Sequence, residues 1–393
     1  MTAAKRILIC DLVGLARNGA GEPDVSEVKA HIEAKGGVFH HGLWREGEVL
    51  AEGRLHFFHA PDLACAADFI AAAGQGQYDA VIAAATTVPE ACPFPEGGVR
   101  MGAGTGNMHS RSWGGPNGSG GAAPLMNTPG FNARATAQMV MKALLHFLPD
   151  LPFALLHERV MAGTFDTSRH LKDFPTHGLA GRRIAIAGFG NIGSAVAHLA
   201  RAFGMVPVIY SRPHHREKIE RAGFLSARSI EAAATATDVV TLHAGLGQRA
   251  ADGTYENAGM LDAGTFTRMN RAATVINFDR GECLNATDLQ AALAAGQVAH
   301  AAIDADIFVD EKTGAISGPL APYLPLARAF PGRVLLLPHA AADTDHPTRV
   351  AAARQAVDQI IAAITTRTVH NLKGDLPKGY ADGGAVLPPW ASG

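Results

Sequence analysis

IAIAGFGNIG, residues 184–193, is the segment that decides the fold of this chain. A short apolar run leads into three spaced glycines and then into an amphipathic run, which predicts a strand, a tight turn and a helix. Gly188 would allow the sharp turn, Gly190 would let the backbone approach a pyrophosphate, and Gly193 would let the helix pack closely on the strand. A second apolar run at 206–210 completes a βαβ unit, so the segment predicts a dinucleotide site.

The length and composition indicate two domains. With 393 residues, of which 47% are hydrophobic, the chain can bury large cores and exceeds the size of one typical domain. We expect a substrate-binding domain formed by residues 1–130 and 341–393. Residues 131–340 would then form the dinucleotide-binding domain.

The charge pattern favours a small-molecule partner. The formal net charge is −2 and no block of lysines and arginines occurs, which argues against nucleic acid or an anionic membrane as the main partner. The apolar run near the start is too short for a signal peptide, and no window approaches a membrane span, so a cytoplasmic location is expected. The four cysteines lack metal-type and redox-type spacing, so no metal site is predicted.

Strand-like and helix-like patterns alternate along the chain. Strands are predicted at 5–12, 79–85, 206–210, 238–243, 273–278, 298–304 and 333–337. Helices are predicted at 25–35, 132–148, 230–237, 261–270, 286–295 and 346–365. This alternation is typical of doubly wound α/β domains with parallel sheets.

Three irregular stretches interrupt the alternation. The glycine-rich loop at 102–107 would expose the backbone amides of Ala103, Gly104 and Thr105, which can hold a carboxylate. Residues 109–123 contain five glycines and form either a disordered insertion or a mobile arm near the active site, where Trp113 could close over a substrate. The tail from residue 371 has no periodic pattern and could wrap across a neighbouring subunit.

Arg280 and His339 are the residues best placed for chemistry. Each follows a predicted strand of the dinucleotide-binding domain, and parallel sheets bind ligands at the ends of their strands. The guanidinium of Arg280 can hold a carboxylate with two hydrogen bonds and polarise an adjacent carbonyl. The imidazole of His339 can donate a proton when a ketone is reduced. The alternatives are structural, namely an arginine that binds helix carbonyls and a packed histidine.

The residues after the second cofactor-domain strand favour NADP(H). NAD enzymes usually carry an acidic residue there, which accepts hydrogen bonds from the ribose hydroxyls. In this chain Tyr210 is followed by Ser211 and Arg212, which can bind a 2′-phosphate. The alternative is that Arg212 and Arg216 are solvated charges at a helix start. We therefore expect NADP(H) to be preferred, with NAD(H) possible.

Taken together, these motifs resemble the D-isomer-specific 2-hydroxyacid dehydrogenase family over nearly the whole length. The most specific matches are 188–193, INFDRGE at 276–282, AID at 302–304 and LPH at 337–339. The resemblance implies two domains of the Rossmann and flavodoxin-like type with the active site in the cleft between them, a catalytic Arg–Glu–His set, an NAD(P)(H) cofactor and commonly a homodimer. It also assigns further residues to the cofactor site: Asn191, Ile192, His243, Asn277 and Asp304.

The motif that carries the acid of the catalytic set is stretched by two residues after Asp304. Counting from the DIF sequence at 306–308 selects Glu311, with Asp310 in reserve, as the partner of His339. The nicotinamide-facing role then falls to Asp304 or Asp306. A carboxylate on the far imidazole nitrogen would raise the pKa of His339 and fix its tautomer.

Departures from the family pattern affect substrate identity more than chemistry. Gln138 replaces a frequent glutamate, Gly245 replaces a proline, and residues 114–121 resemble an insertion. We expect an enzyme that transfers a hydride between NADP(H) or NAD(H) and a 2-oxo acid or D-2-hydroxy acid. The alternatives are a dehydrogenase of a small anion such as formate or phosphite, and a non-catalytic regulator that senses nicotinamide cofactors.

Overall fold

The computed structural model describes residues 3–63, 65–148, 152–310, 313–339 and 345–388. Its strands are β1 (Lys5–Ile9), β2 (Val38–His41), β3 (Leu55–His59), β4 (Ala80–Ala83), β5 (Gly97–Arg100), β6 (Leu125–Asn127), β7 (Arg183–Ala187), β8 (Val206–Tyr210), β9 (Leu225–Ala227), β10 (Val239–Leu242), β11 (Ala273–Asn277), β12 (Val298–Ala305), β13 (Phe308–Val309), β14 (Ile316–Ser317), β15 (Val334–Pro338), β16 (Thr368–Val369), β17 (Leu372–Lys373) and β18 (Ala381–Asp382). Its α-helices are α1 (Ser26–Ala34), α2 (Ala66–Ala73), α3 (Ala133–Phe147), α4 (Phe153–Met161), α5 (Thr167–His170), α6 (Asn191–Ala202), α7 (Arg216–Arg221), α8 (Ile230–Ala234), α9 (Ala263–Arg268), α10 (Ala286–Ala294), α11 (Leu324–Ala329) and α12 (His346–Thr365).

The contacts divide the chain into two compact units. The first unit comprises Met1–Asn132 and Asp343–Gly393, and the second comprises Ala133–Ala342. The chain therefore leaves the first unit at α3 and returns to it before α12. Of the helices that the structure describes, none is both long enough and apolar enough to cross a membrane.

The first unit is built on a seven-stranded sheet in the order β17-β6-β5-β4-β1-β3-β2. All neighbouring strands are parallel except β17, which pairs antiparallel with β6. Helices α1 and α12 cover one face, where Val28, Ile32 and Ile360 are fully buried. Aromatic side chains such as Phe69 and Phe94 fill the core on the other face.

The second unit is a parallel seven-stranded sheet in the order β15-β12-β11-β10-β7-β8-β9. One core packs helices such as α9 and α10 against it, and another packs α3 and α6. The prediction of two doubly wound α/β domains is confirmed. Because the strands are parallel, the carboxyl ends of β10, β11, β12 and β15 meet at one edge, and the residues that follow them are brought together.

The glycine-rich stretch at 109–123 is packed into the first unit, so the prediction that Trp113 closes over a substrate is wrong. Trp113 belongs to a short 3₁₀-helix, is fully buried, and stacks on Phe94 with ring centroids 6.0 Å apart. Its indole Nε1 donates a hydrogen bond to the carbonyl of Met108 at 2.9 Å. A side chain buried in this way cannot close over a substrate. Gly98 leaves room for the indole, since a Cβ there would lie 2.8 Å from the ring.

The described part of the C-terminal tail, residues 371–388, also pairs within its own unit. Residues of β17 pair with β6, and β16 pairs with β18. The amide of Asp375 donates to the carbonyl of Gly118 at 2.9 Å, which fastens the tail to the glycine-rich stretch. Backbone pairing, which leaves little trace in side-chain periodicity, therefore orders this segment.

Replacing Trp113 by alanine is expected to lower the free energy of unfolding by about 3–5 kcal/mol, because it removes a fully buried aromatic side chain and leaves a cavity. Urea titration followed by far-ultraviolet circular dichroism measures this loss. Trp113→Phe is the matched control and should cost less, since it keeps a ring against Phe94. A loss below about 1 kcal/mol for the alanine variant would contradict the packing described here.

Candidate active site

The glycine turn has the geometry that its sequence predicts. Gly188 follows β7 with a φ of +100°, and a Cβ there would lie 2.2 Å from the carbonyl oxygen of His243. A Cβ on Gly193 would lie 2.1 Å from the carbonyl oxygen of Gly188, so the start of α6 packs directly on the turn. Gly190 has open space around it. The two flanking glycines are required by packing, and the middle one leaves room for a ligand.

The turn opens into a cleft of about 860 Å³ within the second unit. Lining residues include the glycine turn, the end of β8 and the segment after β10: Gly188, Phe189, Gly190, Tyr210, Ser211, Arg212, His215, His243 and Ala244, together with residues between 247 and 260. This volume is in the range of small-molecule and cofactor sites. A dinucleotide therefore fits both the volume and the open backbone at Gly190.

At the end of β8 the cleft presents a hydroxyl and a cation. Ser211 is half-buried, and its Oγ lies 3.0 Å from Nδ1 of His215. Arg212 is exposed beside it. No acidic residue occurs between 206 and 216, so the end of β8 contributes no carboxylate to the cleft.

Two of the other predicted cofactor residues make structural hydrogen bonds. His243 lines the cleft, and its Nε2 lies 2.9 Å from Oγ1 of Thr241. Desolvation lowers the pKa of His243 to about 3, so the ring is neutral at physiological pH. Asn277 is fully buried, and its side-chain amide donates to the carbonyl of Arg280 at 2.8 Å. Asn277 thus shapes the turn that carries Arg280.

Next to this cleft lies a smaller pocket of about 500 Å³, formed where β11, β12 and β15 end. Its ionisable lining residues are Asp279, Arg280, Glu282, Asp306 and His339. Nη1 of Arg280 lies 3.5 Å from Nε2 of His339. The structure therefore brings together the two residues that the sequence selected for chemistry.

Asp304 is the carboxylate that holds His339. Nδ1 of His339 lies 2.7 Å from Oδ1 of Asp304, whose residue is only 5% exposed. The pairing of β12 with β15 sets Asp304 opposite Leu337, and the backbone N–H of His339 donates to the carbonyl of Ala305 at 2.9 Å. The sheet register therefore places both side chains at adjacent strand ends.

The electrostatics of the pair suit proton donation. The hydrogen bond that His339 donates to Asp304 raises the pKa of His339 above its usual value, desolvation lowers it, and the charge of Arg280 also opposes the rise. With Nδ1 held by the carboxylate, Nε2 is the nitrogen that faces Arg280. It can donate a proton when the ring is charged and accept one when the ring is neutral.

The acid predicted for this set, Glu311, lies outside the residues that the structure describes. Its reserve, Asp310, accepts hydrogen bonds from the backbone and hydroxyl of Thr313 at 2.7 and 2.8 Å in the connection between β13 and β14. Of the described residues, Asp304 is the one whose carboxylate bonds His339, although the sequence assigned it to the nicotinamide. The register of two adjacent strands was the signal that could have identified this pairing.

Sequence reasoning also missed residues that shape the pocket. The hydroxyl of Tyr323 donates to the carbonyls of Gly281 and Leu284, at 2.7 and 2.6 Å, and so supports the turn after Arg280. Asp279 lines the pocket, and its carboxylate accepts a hydrogen bond from the backbone N–H of Gly245. Desolvation raises the pKa of Asp279. Neither role follows from periodicity, because both depend on contacts between distant loops.

In the first unit, two side-chain hydrogen bonds anchor the glycine-rich loop at 102–107, which is predicted to hold a carboxylate. The side chain of Asn127 donates to the carbonyl of Ala103 at 2.6 Å, and Oγ1 of Thr105 donates to the carbonyl of Pro116 at 2.7 Å. Within the described part of the chain, the backbone amides of Ala103, Gly104 and Thr105 have no hydrogen-bond acceptor. They remain candidates for holding an anion. The described residues include no cluster of histidine, cysteine and carboxylate side chains able to bind a metal.

Comparison with solved structures supports this architecture. The NAD⁺-bound 3-phosphoglycerate dehydrogenase of Entamoeba histolytica superposes with a TM-score of 0.63, over 95% of this chain and 100% of that chain. The sequences are 16% identical, so the likeness concerns the fold alone.

Sequence comparison shows which proteins this chain is similar to. The NAD-binding domain of D-isomer specific 2-hydroxyacid dehydrogenases matches residues 151–341. Glyoxylate reductase from Aeropyrum pernix is 33% identical over 49% of this chain and 52% of its own length, and that from Korarchaeum cryptofilum is 30% identical over 61% and 65%. The chain thus spans between about half and just under two thirds of these relatives. Residues 151–341 are therefore similar to the NAD-binding domain of the D-isomer-specific 2-hydroxyacid dehydrogenase family.

Proposed function

We propose that this protein is an oxidoreductase that transfers a hydride between NADP(H) or NAD(H) and a 2-oxo acid or D-2-hydroxy acid. The observation that carries the proposal is the Asp304–His339–Arg280 arrangement, in which a carboxylate, an imidazole and a guanidinium follow one another within 2.7 and 3.5 Å. When bound, a nicotinamide cofactor supplies the hydride for reduction or accepts it in the reverse direction.

The chain's own residues account for the rest of the reaction. Arg280 would bind the substrate carboxylate and polarise the neighbouring carbonyl, because a guanidinium matches a carboxylate with two parallel hydrogen bonds. Protonated His339 would donate the proton on Nε2 to the carbonyl oxygen as it becomes a hydroxyl. In the reverse direction, neutral His339 would accept the hydroxyl proton. The amides of Ala103, Gly104 and Thr105 are proposed as further carboxylate ligands.

A substrate panel tests the proposal. The purified chain is mixed with NADPH or NADH and with glyoxylate, hydroxypyruvate, pyruvate and bulkier 2-oxo acids, and the loss of absorbance at the reduced-cofactor band is followed. Glyoxylate heads the panel because the matched relatives include glyoxylate reductases. Oxidation of formate or phosphite with no activity on any 2-oxo acid would select the small-anion alternative. Cofactor binding without any turnover would select a regulator.

We further propose that NADP(H) is preferred over NAD(H). Ser211 and Arg212 line the cofactor cleft at the end of β8, where they can bind a 2′-phosphate by charge-assisted hydrogen bonds. The stretch from 206 to 216 contains no acidic residue that would repel this phosphate.

The expected result is a higher kcat/KM with NADPH than with NADH for the same substrate at low ionic strength. Arg212→Ala should lower kcat/KM for NADPH by roughly 10- to 100-fold, because a hydrogen bond to a charged group contributes about 1.5–3 kcal/mol. The same variant should change kcat/KM for NADH little. Arg216→Ala is the matched control, since Arg216 is absent from the cleft lining. A wild-type preference for NADH would contradict the proposal.

Asp304→Asn is expected to move the pH dependence of reduction toward lower pH. Reduction needs protonated His339, so its rate falls as pH rises through the pKa of this residue. Because Asp304 raises the pKa of His339, replacing Asp304 by asparagine should lower that pKa. At pH values above the pKa, each unit of decrease reduces the protonated fraction of His339 about tenfold. Profiles of kcat/KM between pH 5 and about 9.5 measure the shift.

Two variants control this experiment. Asp306→Asn should shift the profile less, since Asp306 acts on His339 only through its charge. Glu311→Gln tests the acid chosen from the sequence. A shift with Glu311→Gln and none with Asp304→Asn would mean that the contact between Asp304 and His339 is not the one used in turnover.

A homodimer and a cytoplasmic location are also proposed, the first from the family resemblance and the second from composition. Light scattering of the purified chain measures the oligomeric mass. Cell fractionation tests the location. Neither property is needed for the chemistry assigned to Arg280, Asp304 and His339.

A further inference from the structure

The segment after β10 forms an ordered hairpin, residues 246–257. The amide of Ala250 donates to the carbonyl of Thr254 at 2.8 Å, and those of Glu256 and Asn257 donate to the carbonyls of Gln248 and Leu246 at 2.9 and 3.0 Å. Arg249 and Tyr255 face each other across the hairpin as an antiparallel bridge. The guanidinium carbon of Arg249 lies 5.7 Å from the centre of the Tyr255 ring.

The base of the hairpin is fastened to the turn that carries Arg280. The side-chain amide of Asn257 donates to the carbonyl of Gly245 at 2.8 Å, and the backbone N–H of Gly259 donates to the carbonyl of Glu282 at 2.8 Å. The N–H of Gly245 donates to Asp279, the residue before Arg280. The hairpin is therefore held in a fixed relation to the reaction pocket.

The hairpin borders both cavities of the second unit. Its residues supply much of the lining of the cofactor cleft, including Arg249 and Tyr255. Tyr255 also lines the pocket that contains Arg280 and His339, and among the described residues it is the one that lines both of these cavities. Tyr255 therefore borders both the cleft and the reaction pocket, and on the proposed function the nicotinamide end of a bound cofactor would lie near it.

We infer that the hairpin clamps the cofactor, with Arg249 binding the diphosphate and the Tyr255 ring packing against the nicotinamide end. This inference rests on the proposed cofactor site. Arg249 is exposed in the cleft and is held near Tyr255, so its charge belongs to the nicotinamide half of the cleft. The negative charge available in that half is the diphosphate, since Ser211 and Arg212 take the 2′-phosphate at the end of β8. Arginine forms bidentate contacts with phosphate groups.

Isothermal titration calorimetry of the full chain tests the clamp with three ligands that lose one part at a time. NADPH is whole, 2′-phospho-ADP-ribose lacks the nicotinamide, and 2′-AMP lacks the diphosphate as well. If the wild-type chain binds NADH more tightly, the series is NADH, ADP-ribose and adenosine. Arg249→Gln should weaken the first two ligands by about 10- to 100-fold and leave the third unchanged. Tyr255→Ala should weaken only the whole cofactor, by about three- to tenfold, and Tyr255→Phe should bind like the wild type.

Arg201→Gln is the matched control, because Arg201 makes the same kind of contact with a ring, 4.4 Å above Phe224, outside both cavities. It should bind all three ligands normally. Unchanged NADPH affinity in Arg249→Gln and Tyr255→Ala, or an equal loss for all three ligands, would overturn the clamp. If the wild-type chain bound the cofactor normally but turned over no 2-oxo acid, the proposed reaction would be refuted. The binding test of the clamp would still be valid.

Discussion

Replacing His339 by alanine is expected to lower kcat/KM for reduction of a 2-oxo acid by about 10²–10⁴-fold, the usual contribution of a general acid. The reason is geometric. Nε2 of His339 faces Arg280 in the pocket, while Nδ1 is held by Asp304, so this ring is poised to move a proton at the substrate oxygen. Steady-state rates measure the loss, and calorimetry with NADPH should show nearly unchanged affinity, because His339 lines the pocket and not the cofactor cleft.

His300→Ala is the matched control for this experiment. His300 lies in β12 of the same unit, stacks on Phe147 with ring centroids 4.8 Å apart, and lines neither cavity. Its removal should leave the rate close to that of the wild type. If folded His339→Ala protein kept a rate within about threefold of the wild type, another group would have to supply the proton, and the mechanism would be wrong.

The fold of the second unit could be predicted because its sequence repeats one simple pattern. The strand β8 was predicted with the bounds Val206–Tyr210. The strand β7 begins at Arg183, one residue before the apolar run that starts at 184. In the first unit the signal is weaker. Strands β2 and β3 read VFHH and LHFFH, and His56 and His59 are buried at 2% and 5% exposure. Histidines look polar in a hydrophobicity pattern, even where they are buried as in β3, so no strand was predicted at either place.

The glycine-rich stretch at 109–123 shows a second limit of prediction from sequence alone. Its composition correctly indicates irregular backbone, but whether such a stretch packs depends on partners that are distant along the chain. Trp113 is buried because Phe94 stacks on it and Gly98 leaves room for it. The positive φ angles of Gly114, Gly118 and other glycines of this stretch are the conformations that glycine adopts without strain.

Part of the candidate site could likewise be predicted from the sequence, and part of it depends on contacts between distant residues. Arg280 and His339 could be selected from the sequence because each follows a strand, and the parallel sheet then brings strand ends together. The partner of His339 was sought by counting along the chain, which led to Glu311. The contact with Asp304 instead follows from the register between β12 and β15, in which Asp304 lies opposite Leu337. Register is a property of two strands, and a linear motif does not contain it.

Arg280→Gln is expected to lower kcat/KM for 2-oxo acids by roughly 30- to 5000-fold, because truncating one partner of a charged, hydrogen-bonded pair costs about 2–5 kcal/mol. Most of the loss should appear for substrates that carry a carboxylate, since this group is the proposed partner of the guanidinium. Arg201→Gln, outside both cavities, is again the control. Steady-state kinetics with a series of 2-oxo acids and an uncharged ketone measure the effect.

The same variant has a second readout that a merely structural role would not produce. The hydrogen bond that His339 donates to Asp304 raises the pKa of His339, and the charge of Arg280 opposes this rise. Removing Arg280 should therefore raise that pKa further, and the decline of the reduction rate should move to higher pH. Asp304→Asn should move it to lower pH. Opposite shifts in the two variants would show that both side chains act on one titrating imidazole, whereas shifts in the same direction would contradict the arrangement of Asp304, His339 and Arg280.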